Sequence, residues 1–186
     1  MTAPNVPDAP KLEAWQRGPV PGVPALLQPA AHAMIQAREE LEGVAGGLTT
    51  DQLWTRPAGV AAVGFHVAHV AGVLDRLLTY ARGGPLSREQ RAALGAEQQP
   101  GDPRRDAAAL LAALGTAVER ALDQLRATDP ATLVEPRELG RLKLPTTVGG
   151  LIFHAAEHAQ RHTGQALVTS RVVLHLCHVD GTLRAS

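Results

Sequence analysis

Two clusters contain five of the eight histidines in the chain, and imidazole is a common metal ligand. His154, His158 and His162 follow one another at four-residue intervals, whereas His66 and His69 lie in an earlier apolar segment. A four-residue step turns a helix of 3.6 residues per turn by about 400°, so the later histidines share nearly one face. Neutral imidazole suits Zn, Ni, Cu and Fe. Two such clusters on facing helices could therefore bind one transition-metal ion.

The alternative interpretation is that the histidines are packed core residues or solvated groups. Three imidazoles on one stripe without a shared partner would leave buried nitrogens unsatisfied, so this alternative is disfavoured for the later cluster. It is favoured for His32, which lies alone in the first helix-like segment. His175, Cys177 and His178 have ligand side chains, but no second half of a zinc-binding pattern follows them. We predict that they belong to a C-terminal tail.

Carboxylates are scarce around both clusters, and this excludes several familiar sites. The spacing of His158 and His162 matches the zinc-protease helix, but alanine stands where that motif has its general-base glutamate. Neither cluster contains the Glu-x-x-His motif of di-iron bundles. Asp75 lies about 240° around the helix from His69, and Glu157 is predicted to point elsewhere. The sequence therefore predicts a mononuclear site that is rich in histidine.

Composition excludes further classes of function. The 186 residues are enough for one domain with extensions, and 18 basic residues balance 18 acidic ones without a basic stripe. Nucleic acid is therefore not an expected partner. The single cysteine excludes an internal disulfide framework and fits a reducing compartment. Because no apolar leader and no apolar run of about twenty residues occur, we predict no membrane partner and a soluble, cytoplasmic protein.

Proline and glycine mark the boundaries of four long amphipathic segments, and only a few residues around Leu142 to Leu144 show strand character. A short helix is predicted from Arg88 to Leu94. The fold class is therefore all-α, a four-helix bundle with long inter-helix loops and a short extra helix. The long loops leave the order and direction of the helices open. The four long helices are predicted from about Ala25 to Val44, Ala61 to Ala81, Pro103 (capped by Asp102) to Ala127, and Thr146 or Thr147 to Val173.

The same boundaries predict three parts of the chain. Residues 1–24 are rich in proline and should be extended, residues 25–174 should form the bundle, and residues 175–186 should be a tail. Many positions on all four helices hold alanine or another small residue. Such residues permit close packing between subunits as well as inside a monomer, so a homodimer remains open.

Two motifs resemble those of a known family. The segment 63–69 (VGFHVAH), with LWTRP at 53–57 before it and DRL at 75–77 after it, resembles the second-helix signature of DinB/YfiT-like metalloenzymes. The segment 158–165 (HAQRHTGQ) is similar to the fourth-helix motif of that family, His-x3-His-x-Gly-Gln. The resemblance spans about Leu26 to Val173. It implies a four-helix bundle that binds one divalent ion through three histidines.

The resemblance also assigns roles to individual residues. It implies one ligand from the second helix and two from the fourth, namely His69, His158 and His162. His66 lies one turn before His69 and is the alternative ligand on that helix. His154 precedes the fourth-helix motif by one turn, so it could support a ligand from outside the coordination sphere, contact the substrate or be a fourth ligand. Gln165 lies near the face of His162 and could orient a ligand or a bound water.

Three protein ligands leave one coordination position open, which distinguishes a reactive site from a sealed structural one. A divalent ion there, Zn or Ni by its nitrogen ligands, can lower the pKa of a bound water or thiol. The chain is similar to thiol-dependent S-transferases and isomerases, and this implies a small-molecule substrate and a low-molecular-weight thiol such as bacillithiol, mycothiol or glutathione. The alternatives are a metal-dependent hydrolase, a non-catalytic metal-binding or stress-response protein, and a metal-free bundle with packed histidines.

Overall fold

A computed structural model describes residues 11–184 of the protein, with side chains described as far as residue 179. The described part is mostly helical and contains one small antiparallel hairpin. Short 3-10 turns precede or link the longer elements at Ala14–Arg17, Ala25–Leu27, Pro57–Gly59 and Pro130–Val134. The helices are α1 (Gln28–Ala45), α2 (Thr50–Trp54), α3 (Val63–Ala81), α4 (Arg88–Ala96), α5 (Ala107–Ala127) and α6 (Val148–Arg184), and the strands are β1 (Pro136–Leu139) and β2 (Leu144–Thr147).

A small hairpin accompanies the helices of the predicted all-α fold. Strand β1 pairs with β2 so that Pro136 lies opposite Thr147. The turn between them contains Gly140 with a φ of 69° and Lys143 with a φ of 50°. Left-handed backbone of this kind closes tight turns. Strand character was predicted around Leu142 to Leu144: Leu144 begins β2, whereas Leu142 lies in the turn, and each strand is too short to show a clear alternating pattern.

Two helices begin or end away from their predicted boundaries. Helix α5 begins at Ala107 instead of Pro103, because the side chain of Asp106 accepts a hydrogen bond from the backbone N–H of Ala109 at 2.8 Å and caps the helix there. Helix α6 continues to Arg184 instead of ending near Val173. No proline follows position 145, so nothing in the sequence forces an earlier end. The segment predicted as a tail is therefore helical as far as residue 184.

The residues before α1 lie against that helix. The backbone N–H of Ala14 donates to Oε1 of Gln36 at 2.8 Å. Lys11 and Arg17 both pair with the carboxylate of Glu39, at 3.1 and 2.8 Å. The predicted extended segment is thus attached to α1 from residue 11 onward, and the part of that prediction covering residues 1–10 lies outside the described residues.

The four long helices α1, α3, α5 and α6 pack around one apolar core. Its largest fully buried side chains are Met34, Leu41, Leu53, Leu74, Leu114, Leu125, Leu151, Ile152, Val63, Val67, Val70 and Val118. Burying each of these stabilises the fold by roughly 1.5–3 kcal/mol before entropy losses. Within residues 11–184 no single helix is both long and apolar enough to cross a membrane, although the bent pair Thr50–Gly59 and Val63–Ala81 would pass on length and composition.

Helices α3 and α5 run parallel to each other. At one end, Nε1 of Trp54 donates to the carbonyl of Arg105 just before α5, and the Trp54 ring packs so closely on Gly64 that a Cβ there would lie 2.9 Å from the ring. At the other end, Gln124 donates to the carbonyl of Leu78 at 3.0 Å. The connection that carries α4 must therefore return along the full length of α3. This explains why that loop is longer than a hairpin between antiparallel helices requires.

Candidate metal centre

The histidines of α3 and α6 lie beside the apolar stripes that these helices bury. On α6 the buried stripe consists of small side chains at this level, including Ala155, Ala159 and Thr163. Small residues let the two backbones approach closely. His158 and His162 each precede one member of that stripe, so they lie at the edge of the interface with α3. Packing of the apolar stripes thereby holds the imidazoles in place.

Antiparallel packing of α3 and α6 brings the two clusters together. The Nε2 atoms of His69 and His158 lie 3.0 Å apart. The ring centroids of His69 and His162 are 4.4 Å apart, and those of His158 and His162 are 4.7 Å apart. One ligand nitrogen from each of the three rings lies within 4.8 Å of the other two. Nitrogens around a tetrahedral ion at about 2.0–2.1 Å are roughly 3.3 Å apart, so the three rings could hold one ion with small adjustments.

The electrostatics of the cluster also fit a cation. Burial, together with the neighbouring His69 and His158, lowers the pKa of His162 to about 3. Burial and the same kind of neighbours lower the pKa of His158. Neutral imidazoles keep the lone pair that a metal ion requires. Among the described residues, Nδ1 of His158 is also buried without a hydrogen-bond partner, so this ring is incompletely satisfied by the protein alone.

His69, His158 and His162 are called the triad below. His66, the alternative ligand on α3, lies outside this group and contacts one of its members. Its Nδ1 lies 2.9 Å from Nδ1 of His162, and its side chain is only 4% exposed. Burial and the neighbouring His69 lower its pKa to about 4. A histidine that binds a metal through Nε2 carries its proton on Nδ1 and usually donates it to a neighbour. His66 is placed to accept that hydrogen bond from His162.

A carboxylate next to the triad was missed by the sequence analysis. Nδ1 of His69 lies 2.7 Å from Oε2 of Glu97, and Oε1 of Glu97 pairs with Nη1 of Arg76. Both residues of that ion pair are buried: Glu97 is 5% exposed and Arg76 is 7% exposed. The expectation that carboxylates are scarce around the histidines is therefore wrong, because Glu97 is distant in sequence but contacts His69 in the fold. Glu97 follows α4 in a segment without a recognisable motif, and proximity to His69 arises only when the chain folds back over α3.

Of the remaining predicted residues, His154 and Gln165 lie near the triad. His154 pairs with Glu157 at 3.2 Å, and Glu157 also accepts from Arg161. Together with His158 these two form a second group whose ligand atoms lie within 4.8 Å. Gln165 is exposed. His32 lies apart, with Nε2 donating to the carbonyl of Gly18 at 3.0 Å, as expected for a histidine in a packing role.

A cavity of about 650 Å³ opens beside the triad. His66 and His162 line it directly, and Phe65 and Val168 supply apolar surface. The ring of Phe65 stacks on His69 with centroids 5.1 Å apart and an angle of 18°. Gln165 and Arg161 supply the polar groups of the lining. A mostly apolar cavity with a few polar groups is typical of small-molecule sites.

Comparison with known proteins agrees with this architecture. A family model described as the DinB superfamily matches residues 33–166. The crystal structure of a conserved protein from Enterococcus faecalis is similar, with a TM-score of 0.66 and 20% sequence identity over 80% of this chain and 96% of that chain. At this identity the likeness shows the fold alone. No curated protein matches the sequence.

Proposed function

The chain belongs to the DinB superfamily, whose family model matches most of its length, and from this premise we propose that it is a metal-dependent enzyme. Its divalent ion would be held by His69, His158 and His162. The observation that carries the proposal is the convergence of one nitrogen from each ring within 4.8 Å, although the rings come from distant parts of the chain. We also propose that α1, α3, α5 and α6 constitute the four-helix bundle of this family.

Zn and Ni suit three imidazole ligands, and three side chains leave a coordination position for a substrate. A divalent ion bound there would supply Lewis acidity and lower the pKa of a bound water or thiol. The protein itself contributes neutral ligands at physiological pH, since burial lowers the pKa values of His158 and His162. Hydrogen bonds from the outer nitrogens of His69 and His162 hold those rings in orientation.

The substrate in this proposal is a small molecule that occupies the cavity beside the triad. The volume of this cavity, about 650 Å³, lies within the range of small-molecule pockets. Phe65 and Val168 would cover the apolar part of the substrate and exclude water, and Gln165 and Arg161 would orient its polar part. The family resemblance favours thiol-dependent S-transfer, in which a low-molecular-weight thiol is the second substrate.

The test starts with untagged protein, because an affinity tag of histidines would bind metal itself. Elemental analysis should find about one Zn or Ni per chain, and a chelator should remove it. Turnover is then measured as consumption of bacillithiol, mycothiol or glutathione with a panel of apolar electrophiles, before and after chelation. We expect thiol consumption that chelation abolishes and metal addition restores.

Three other outcomes would change the proposal. Protein that binds no stoichiometric metal under any loading condition would overturn it. Metal-dependent product formation without any thiol would replace transfer with hydrolysis. Tight metal binding without turnover of either kind would favour a non-catalytic metal-binding protein.

A further inference from the structure

We infer that Glu97 is a positioning residue for His69. It accepts a hydrogen bond from Nδ1 of the imidazole and so directs the lone pair of Nε2 toward the ion. This inference rests on the metal centre of the proposed function and adds to it a residue that belongs to neither histidine motif.

The contacts of the two ring nitrogens carry the argument. Nδ1 of His69 lies 2.7 Å from Oε2 of Glu97, whereas Nε2 lies 3.0 Å from Nε2 of His158. A neutral imidazole has one N–H, and a carboxylate oxygen can only accept a hydrogen bond. The proton must therefore be on Nδ1, which leaves the lone pair on Nε2. A free neutral imidazole side chain favours the opposite tautomer, so Glu97 selects the form that can bind the ion.

Arg76 makes a buried carboxylate tolerable at this place. Its Nη1 donates to Oε1 of Glu97, and the two side chains are almost fully buried. An isolated buried carboxylate would be strongly unfavourable, and pairing with a guanidinium offsets that cost. Each oxygen of Glu97 thus has its own partner: one holds Arg76 and the other holds His69. The carboxylate has little freedom to turn away from the ring.

Gly72 provides the space for this arrangement. It lies between His69 and Arg76 on the same face of α3, three residues after one and four before the other. A Cβ at this position would overlap Oε1 of Glu97 and Nη1 of Arg76. Glycine inside a helix lowers stability relative to alanine, so its presence there needs a local reason. The close approach of the Glu97–Arg76 pair to the helix backbone is such a reason.

The segment that carries Glu97 is attached to α3 mainly by polar contacts. None of the side chains of α4 is buried. Nε2 of Gln90 donates to Oδ2 of Asp75 at 2.8 Å and to Oγ1 of Thr79 at 2.9 Å. Glu97, the residue that follows α4, is buried nonetheless. Because α4 contributes so little to the core, we infer that its role is to place the carboxylate of Glu97 against His69.

The experiment compares Glu97→Ala, Glu97→Gln and Gly72→Ala with the wild type. Glu89→Ala is the matched control, because Glu89 is an exposed glutamate of α4, the helix that precedes Glu97. Two quantities are measured: the dissociation constant for Zn²⁺, by competition with a chromogenic chelator, and the tautomer of His69 in the metal-free protein, by ¹⁵N NMR of the imidazole. Thermal unfolding of each metal-free variant reports the stability of the fold separately.

We expect Glu97→Ala to weaken Zn²⁺ binding by roughly 10- to 100-fold and to move His69 toward the Nε2–H tautomer. Glu97→Gln keeps an acceptor oxygen, so its loss should be smaller, and Glu89→Ala should bind Zn²⁺ like the wild type. Gly72→Ala is the sharpest variant, because alanine favours the helix while its methyl group displaces the carboxylate. It should stay folded, because the gain in helix propensity offsets part of the cost of moving the buried ion pair, and yet bind Zn²⁺ about 10-fold more weakly.

Wild-type affinity in both Glu97→Ala and Gly72→Ala would overturn the inference, as would a His69 tautomer that does not change in Glu97→Ala. A loss of affinity that only follows loss of the fold would also count against it, and Gly72→Ala distinguishes that case. If the wild type itself binds no Zn²⁺, the proposed metal centre fails. The tautomer of His69 in the metal-free variants then still decides whether Glu97 positions the ring.

Discussion

Helices α5 and α6 both pack against α3, but they bury different kinds of side chain. Every buried residue of α5 is apolar: Leu110, Leu114, Val118, Ala121, Leu122 and Leu125. Helix α6 buries Thr163, Thr169 and Ser170 beside its apolar residues, and its histidines meet those of α3. An interface of uniformly apolar side chains would stabilise the fold more. The comparison indicates that the α3–α5 side serves stability, whereas the α3–α6 side retains polar groups, among them the histidines of the proposed metal site.

The largest effect should come from removing a ligand on the α3–α6 side. We expect His158→Ala or His162→Ala to abolish stoichiometric metal binding, with an affinity loss on the order of 100- to 1000-fold. This magnitude follows from sharing a zinc binding energy of roughly 10–16 kcal/mol among about four ligands. His32→Ala, which removes a histidine outside the triad, should bind metal normally. Metal content is measured by elemental analysis. Equal metal content in all three variants would show that the α3–α6 side does not hold the metal ligands.

A substitution on the α3–α5 side should have the opposite profile. Leu114 is fully buried, and Leu114→Ala should lower the free energy of unfolding by about 2–5 kcal/mol through lost burial and a residual cavity. The metal affinity of the folded variant should stay within about twofold of wild type, since Leu114 lies on α5 and the proposed ligands lie on α3 and α6. Urea unfolding measures the change in the free energy of unfolding, and competition with a chelator measures the Zn²⁺ affinity. A large loss of metal affinity would show that the two sides are not independent.

The smallest expected effect is a pH dependence of the metal-free protein. Folding lowers the pKa of His66 from 6.5 to about 4, so the unfolded chain binds a proton that the folded chain does not bind between these values. Stability contributed by His66 is therefore present above about pH 6.5 and is lost as pH falls toward 4. The shift corresponds to at most about 3 kcal/mol. Urea unfolding between pH 7.5 and 5 measures it.

The control for the pH effect is His66→Leu, which removes the titrating group and keeps an apolar side chain of similar size. Its stability should vary less with pH than that of the wild type over the same interval. An unchanged pH dependence in this variant would assign the effect to other groups, such as His162, whose pKa is also lowered by burial.

The sequence predicts those parts of the molecule that depend on local spacing. The end of α3 at Ala81 follows from the Gly83-Gly84-Pro85 sequence that cannot continue a helix. The alignment of His158 and His162 on one face follows from helical geometry alone. The length of α6 was missed because the residues after Val173 lose the apolar period, although no proline stops the helix. The start of α5 was missed because Asp102 and Asp106 are equally good capping residues.

Glu97 shows why the full site could not be read from the sequence. Its contact with His69 joins residues 28 positions apart through the crossover connection, and no periodic pattern relates them. Gly72 was the available signal, since glycine inside an otherwise apolar helix requires an explanation. That signal indicates a close neighbour without saying which residue it is.

The parallel direction of α3 and α5 bears on the order in which the chain reaches its native state. The contacts of His66 with His162 and of His69 with His158 span 96 and 89 residues. In addition, the connection between α3 and α5 must pack along α3 before Glu97 can contact His69. Closing loops of this size is entropically expensive, and folding slows as contacts become less local. An ion added before α3 and α6 dock would meet only the histidines of one helix at a time. Cation uptake should therefore follow the rate-limiting folding step, and loading should not accelerate it.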